Sequence, residues 1–309
     1  MNCLLCYKPL SKSEKDYHPK CVVRTFGLKE MPQIEFDESK LISYAKEILG
    51  AHNAITGVQP KLSMWLEERK KNVRFTVMDG KSNYILKPQS AVYKALPENE
   101  DLCMHLAAEF GIHTAVHGLI RLPSNSLAYI TQRFERKGEI KFACEDLCQL
   151  SETLTEHKYR GSYENTGKII RQYSTQSGLD SIHYFELVVF SFITGNADMH
   201  LKNFSMLENE DGAFSLSPAY DLVSTTLVIK NEPEQMSLTI NGRKNKITKN
   251  DFMALGKSLS FTEKQQETVF QNFIKRADKV NWWIENSFLP KEQKSVLKQL
   301  ITKRLNLLK

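Results

Sequence analysis

Residues 182–194 (Ile-His-Tyr-Phe-Glu-Leu-Val-Val-Phe-Ser-Phe-Ile-Thr) form a mostly apolar run with no glycine or proline to break it. A run of this length predicts a buried helix, and Gly195 stands where such a helix stops. Whatever follows Gly195 is therefore a loop fixed to the end of a rigid element. That loop reads Asn196-Ala-Asp198-Met-His200-Leu-Lys202-Asn203.

Beyond it, Phe204–Leu207 and Phe214–Leu216 predict two short strands joined by the polar turn Glu208–Gly212. In such a hairpin the start of the first strand lies beside the end of the second. Asn203 and Asp221 then converge at one end. An acid, an amide five residues on and a second acid after a hairpin is the pattern that phosphoryl transfer from ATP requires. One carboxylate, Asp198, orients or deprotonates a hydroxyl, and the oxygens of Asn203 and Asp221 hold Mg²⁺. The plainer reading is three residues capping turns, a common use of Asp and Asn. The conjunction with the helix and the hairpin favours the chemical one. His200 has the pKa of a general base. Beside a carboxylate, however, a buried histidine more often holds a loop by hydrogen bonds, and that role is preferred here.

Three features upstream suit a nucleotide. Thr56-Gly57-Val58-Gln59-Pro60-Lys61 enters a strand and presents backbone N–H groups to phosphates, or is an ordinary glycine turn. Lys87 ends the apolar strand Tyr84-Ile-Leu, as a lysine pairing with phosphates does, or as one reaching solvent does. Glu100, in the following helix, pairs with Lys87 or merely complements the helix dipole.

The 309 residues allow one large or two medium domains. Net charge is 42 − 36 = +6, too mild to identify an acidic partner. No apolar run is long enough to span a membrane, and the first residues lack a signal-peptide pattern, so the expected location is the cytoplasm. Cys3-x2-Cys6 followed by His18-x2-Cys21 has the spacing of a structural zinc set, or is a group of reduced, half-buried side chains. Cys144 and Cys148, four apart, are expected on one helix in the core. Met236–Ile240 with Asn241-Gly242 is expected to interrupt the helical part of the chain. Residues 291–309 predict an amphipathic helix with a solvated basic face that includes Arg304. The organisation expected is a small cap (1–35), a sheet-rich part beginning with a helix at Phe36–Leu49 (36–137) and a mainly helical part (138–309). The fold class is α+β.

Several stretches resemble the HipA family, the serine/threonine kinase toxins of bacterial toxin–antitoxin systems. They are Asn196-Ala-Asp198-Met-His200-Leu-Lys202-Asn203-Phe204-Ser205, Ser217-Pro-Ala-Tyr220-Asp221, Glu145-Asp146-Leu147-Cys148-Gln149, Lys158-Tyr159, Gly57-Val-Gln59-Pro-Lys61 and Ile85-Leu-Lys87. The Asp-x-His-x-x-Asn spacing is also similar to that of phosphatidylinositol kinases. The resemblance implies a two-lobed, protein-kinase-like fold, with Asp198 as base, Asn203 and Asp221 on Mg²⁺ and Lys87 on the phosphates of ATP. It sets the main chain of Gln132, Arg133 and Phe134 against adenine, and places His200 and Lys202 in the catalytic loop. Family members phosphorylate a serine of their own in the segment that here reads Ala54-Ile55-Thr56-Gly57. Ala54 has no hydroxyl, so that control is absent, confined to Thr56 or removed by substitution. The length resembles the short HipT form, which implies a separate small HipS-like antitoxin, a HipB-like DNA-binding protein and DNA contact only through it. The implied substrate is an aminoacyl-tRNA synthetase, the tryptophanyl enzyme by the same resemblance. A small-molecule or lipid kinase shares the motif chemistry, and a nucleotide-binding regulatory subunit of a DNA-bound complex is the non-enzymatic alternative.

Overall fold

The structure is a computed structural model that describes residues 1–37, 40–41, 43–44, 59–69, 72–77 and 82–309. Ala54, Thr56, Gly57 and Val58 lie outside the described residues, as does most of the helix expected at Phe36–Leu49. Of that helix Lys40, Leu41, Ser43 and Tyr44 are described, and they are helical. The chain divides into two compact units. The first comprises Met1–Leu102, Ala115–Ile140 and Asn286–Pro290; the second comprises Cys103–Thr114, Lys141–Glu285 and Lys291–Lys309.

The first unit is built on five antiparallel strands: β1 (Leu62–Arg69), β2 (Asn72–Val77), β3 (Tyr84–Lys87), β4 (His117–Arg121) and β5 (Leu127–Gln132), in the order β2-β1-β3-β5-β4. Alternation decides what each face carries. Leu62 pairs with Leu86, and Leu86 with Ile130, so these three form one apolar row across the sheet. Met64, Phe75, Tyr84, Ile120 and Ala128 complete that core. Lys87 follows Leu86 and so points to the other face, paired with Tyr129. The helix α2 (Leu96–Glu109) comes after β3.

The N-terminal residues belong to this same unit. Helix α1 (Pro19–Phe26) starts on a proline, whose missing N–H is harmless in a first turn, and stops at Gly27 in the left-handed region. Leu119 N–H donates to Leu4 O, and Gln33 exchanges backbone bonds with Val73 and Phe75 on β2. Phe26 packs against the rings of Phe75 and Tyr84. A Cβ on Gly118 would stand 2.2 Å from Leu5 Cδ2, so a larger residue there would have to displace the Leu5 side chain that packs the cap on β4.

The second unit surrounds helix α5 (Ser177–Thr194), the helix expected from the apolar run and one turn longer at its start. Phe185, Leu187, Val188, Val189, Phe190, Phe192 and Ile193 are all buried, and burial of one such side chain contributes about 1.5–3 kcal/mol. Its polar side chains turn inward on the helix itself: the Ser191 and Thr194 hydroxyls donate to Leu187 O and Phe190 O. Helices α4 (Tyr163–Tyr173), α6 (Lys249–Ser258), α7 (Glu263–Lys275), α8 (Ala277–Asn286) and α9 (Lys291–Asn306) belong to the same unit. So does a small antiparallel sheet in which β7 (Ser205–Glu208) lies between β6 (Cys144–Asp146) and β8 (Phe214–Leu216). Among the described residues no helix is long and apolar enough to cross a membrane.

Two expectations are corrected. Cys144 sits on strand β6, not on a helix with Cys148, because Asp146 caps the short helix α3 (Leu147–Leu150) with a capping box to Gln149. Met236–Ile240 does interrupt the helical part, with isolated bridges from Thr239 to Ser162 and from Ile240 to Arg243. Arg304 does not join the solvated face of α9. It is buried, donates to Phe192 O and lies 4.8 Å from the Phe192 ring centroid, and burial pushes its pKa down to about 10.

One acid in α5 yields a pH test. Burial raises the Glu186 carboxyl from 4.5 to about 7, opposed by the charge of Arg276. Between those values the folded chain keeps a proton that the unfolded chain releases, so stability falls as pH rises through that window. In thermal melts Glu186→Gln is expected to raise Tm over the parent above about pH 7, with the gain vanishing below about pH 4.5.

Candidate active site

Helix α5 ends in a left-handed Gly195, whose N–H and that of Asn196 close the last turn on Phe192 O and Ser191 O. A Cβ here would lie 2.5 Å from Thr226 Oγ1 and 2.7 Å from Leu300 Cδ2. Thr225 then braces the exit: its hydroxyl donates to Gly195 O and accepts from Ala197 N–H. The loop is next held by side chain to backbone bonds. Asn196 Oδ1 accepts from Asp198 N–H, and Asn203 Nδ2 donates to Asp198 O at 2.9 Å. These bonds use only main chain and amides, so the Asp198 carboxylate stays outward, with 43% of its side chain exposed.

One carboxylate oxygen of Asp198 accepts a 2.5 Å hydrogen bond from the Tyr159 hydroxyl. Burial, and then this bond, push the Tyr159 phenol well above its ordinary range, so it remains a donor. His200 is buried, and its Nε2 stands 3.9 Å from the same oxygen, beyond hydrogen-bond reach. Burial lowers its pKa against the pull of Asp198, and its Nδ1 is buried without a hydrogen-bond partner. The expectation that His200 ties the loop by ring hydrogen bonds is thus corrected. The ring packs edge-on against Tyr159 at 5.0 Å instead. Lys202 pairs with Asp146 at 2.8 Å, the residue that also caps α3.

The hairpin returns the chain to this loop. Ser217 N–H donates to Ser205 O, and the Tyr220 hydroxyl donates to Lys202 O while lying 2.7 Å from Ser205 Oγ. Asn203 precedes β7 and Asp221 follows β8, at the same end of the pair. Asp221 adopts φ 57, a left-handed conformation that Asp tolerates better than most residues. Its charge reaches His200. Asn203 is buried with its Nδ2 committed to Asp198 O, so its oxygen is the end left for a ligand. Two oxygen donors, one amide and one carboxylate, suit a hard cation such as Mg²⁺.

In the first unit Lys87 Nζ and Glu100 Oε1 form a buried ion pair at 2.5 Å, with the ammonium 5.4 Å from the Tyr129 ring centroid. The neighbouring Gln59 Nε2 donates to Pro88 O at 2.6 Å, while Lys61 is exposed. The Gln132 and Arg133 N–H groups donate to Val116 O and Asn83 O, and the Arg133 guanidinium is held by Glu135. These two N–H donors are occupied by the fold. Phe134 is half-buried in the turn after β5. Cys3, Cys6, His18 and Cys21 are also brought together, with their ligand atoms all within 4.8 Å of one another.

Sequence reasoning assigned no role to Tyr159 or Asp146, although both lie in stretches that carry the family resemblance. The signal available was the placement of a phenol and an acid in those stretches, and only the folded chain pairs them with Asp198 and Lys202.

In the second unit, an acid on a helix-ended loop with an amide and a second acid on a hairpin is a kinase-type constellation, and the first unit holds a buried lysine–glutamate pair. The chain belongs to the family of HipA-like C-terminal domains, whose sequence pattern matches residues 53–282. It is 24% identical to a Haemophilus influenzae protein named "Putative kinase", over 99% of this chain and 97% of that one. It is 26% identical to the serine/threonine-protein kinase toxin HipA of Shewanella oneidensis, over 61% of this chain but only 46% of that protein. The fold is similar to the structure of Shewanella oneidensis HipA solved with HipB and its operator DNA, with a TM-score of 0.69 at 19% identity, covering 97% of this chain and 79% of that one.

Placement of the Asp198 loop depends on the stop at Gly195. Gly195→Ala combines a left-handed Cβ penalty with two close contacts, and is expected to cost about 1–3 kcal/mol, read as a lowered midpoint in urea melts.

Proposed function

We propose that this chain is an ATP- and Mg²⁺-dependent serine/threonine protein kinase of the HipT type, the toxin of a three-part toxin–antitoxin system. The observation that carries the reading is the Asp198 carboxylate. It is exposed at the end of a rigid helix, with one oxygen bound by Tyr159 and the other available to a substrate hydroxyl. Tyr159 and the backbone bond to Asn203 fix its orientation, and Asp198 takes the proton of the attacking serine or threonine as the Oγ–P bond forms and the bond to the ADP oxygen breaks. Neutral His200 packs beneath Tyr159 and adds no charge that would compete for this proton. Asn203 and Asp221 would hold Mg²⁺, which would supply charge neutralisation at the phosphates. Lys87, kept in place by Glu100, binds the phosphates, while Lys202 is a positioning residue that ties the loop to Asp146. By the family resemblance Gln59 and Lys61 are assigned to the phosphates and the Gln132–Phe134 segment to adenine, while Thr56, Gly57 and Val58 of the same motif lie outside the described residues.

The relative named a serine/threonine-protein kinase toxin supports hydroxyl specificity, and the neighbour solved with HipB and operator DNA supports a HipB-like partner through which DNA is met. A HipS-like antitoxin and an aminoacyl-tRNA synthetase substrate, the tryptophanyl enzyme first, follow from the short-form resemblance.

The test is intact-mass spectrometry of the chain with ATP, Mg²⁺ and a panel of synthetases. One phosphate is expected on a synthetase, and Asp198→Asn is expected to lower the rate by about 10²–10⁴-fold while ATP binding persists. Phosphate on no protein while ATP is still consumed would move the assignment to a small-molecule kinase. An unaffected Asp198→Asn would remove Asp198 as the base.

A further inference from the structure

The N-terminal cluster contains none of the residues assigned to phosphoryl transfer and is built like a closed metal site. Two short segments supply it. Cys3 and Cys6 flank a tight turn in which Tyr7 N–H donates to Cys3 O, and His18 and Cys21 border the first turn of α1. Cys6 Sγ and Cys21 Sγ stand 3.4 and 3.7 Å from His18 Nδ1. Zinc–sulfur bonds of about 2.3 Å and zinc–nitrogen bonds of about 2.0 Å in a tetrahedron imply donor separations of about 3.5–3.8 Å. Cys6 and Cys21 already stand at about that separation from His18, and all four donor atoms lie within 4.8 Å of one another.

Histidine orientation is the second, independent observation. His18 Nε2 lies 3.0 Å from Pro9 O. A carbonyl only accepts, so Nε2 carries the hydrogen and Nδ1 turns its lone pair toward the sulfurs. A ring nitrogen fixed by a backbone carbonyl, with the other aimed at the ligand position, is how metal-bound histidines are usually held. His18 N–H also donates to Cys3 Sγ at 3.5 Å, as it would to a metal-bound thiolate. All three cysteines are buried and free of disulfides.

We propose that Cys3, Cys6, His18 and Cys21 bind one Zn²⁺ as a structural ion. The ligand set of three sulfurs and one nitrogen fills a tetrahedron, so no position remains open for a water or substrate, and the ion staples rather than catalyses. It joins residues 3–6 to α1 in a segment whose own apolar cluster is small: Cys3, Leu5, Cys6, Cys21 and Val22, with a few half-buried neighbours. Binding requires the thiols to give up their protons, so affinity falls with acidity.

The experiment uses the full chain, purified under reducing conditions, dialysed against trace zinc and assayed by elemental analysis. About one zinc per chain is expected in the parent, in Cys144→Ser and in Asp198→Asn, with a loss of more than about tenfold in Cys6→Ser and in Cys21→Ser. Substitution of Co²⁺ in the parent chain answers the objection that a variant has merely misfolded. Thiolate-to-cobalt charge transfer with the visible bands of tetrahedral Co²⁺ is expected. A parent chain that takes up no metal, a variant that retains it, a cobalt spectrum without thiolate bands, or a mass two hydrogens light from a disulfide within the set would each overturn the proposal. Retention of zinc by Asp198→Asn separates this outcome from any failure of the kinase assignment.

Discussion

The burial of helix α5 is the constraint on which the second unit depends. A helix with apolar side chains on nearly every face has no solvent side, so α4, α6, α9 and the small sheet are recruited to cover it. Rings interlock around it: Phe185 meets Phe270, and Phe192 meets Phe252. Burying Arg304 against Phe192 is a consequence of the same demand, since the guanidinium gains a carbonyl and an aromatic face in place of water. An element held on all sides cannot tilt. The loop that leaves it at Gly195 therefore starts from a fixed point.

That fixed start explains how a short loop keeps an exposed acid in one orientation. Exposure alone would leave Asp198 free to rotate, and an exposed hydrogen bond contributes only about 0.5–1.5 kcal/mol. Here the restraints are distributed. Thr225 fixes Ala197, Asn196 and Asn203 fix the backbone of Asp198, and Tyr159 fixes one carboxylate oxygen. His200 contributes bulk rather than charge, because burial keeps its ring neutral. The acid keeps water on one side and hydrogen bonds from the protein on the other, an arrangement that sets its direction.

The features legible in the sequence were those that depend on period or on a local stop. The apolar run gave α5 and its end. The apolar stretch Tyr84-Ile-Leu gave β3, and with it the position of Lys87 at a strand terminus. The hairpin after Asn203 was readable because its turn is polar and short. Contacts between distant positions were not legible. Tyr159 reaches Asp198, and Asp146 reaches Lys202, across intervals that no spacing rule covers, so only packing of the surrounding elements pairs them. Arg304 misled for a related reason. Its helix carries lysines at similar spacing, and helical periodicity alone does not say which cation lies against the buried helix. Cys144 was misplaced because the capping role of Asp146 moves the helix start past it.

The first turns of α2 show why an ion pair can be trusted where a first-turn acid alone cannot. Glu98, Asn99, Glu100 and Asp101 are consecutive and all buried. Four successive helical residues point in four directions, so no single solvent-facing stripe accommodates them, and each needs a partner or suffers desolvation. Glu98 is held by Gln89, Glu100 by Lys87, and Asp101 by both Tyr7 at 2.6 Å and His117 at 2.7 Å. A buried pair such as Lys87–Glu100 adds little stability over an apolar substitute, but loss of one member leaves the other charge stranded. Retaining so polar a turn is understandable if the lysine head must be held ready for a charged ligand. The Tyr7 bond to Asp101 then gives the N-terminal cap a place in the same arrangement, because the residue it fixes is the one next to Glu100.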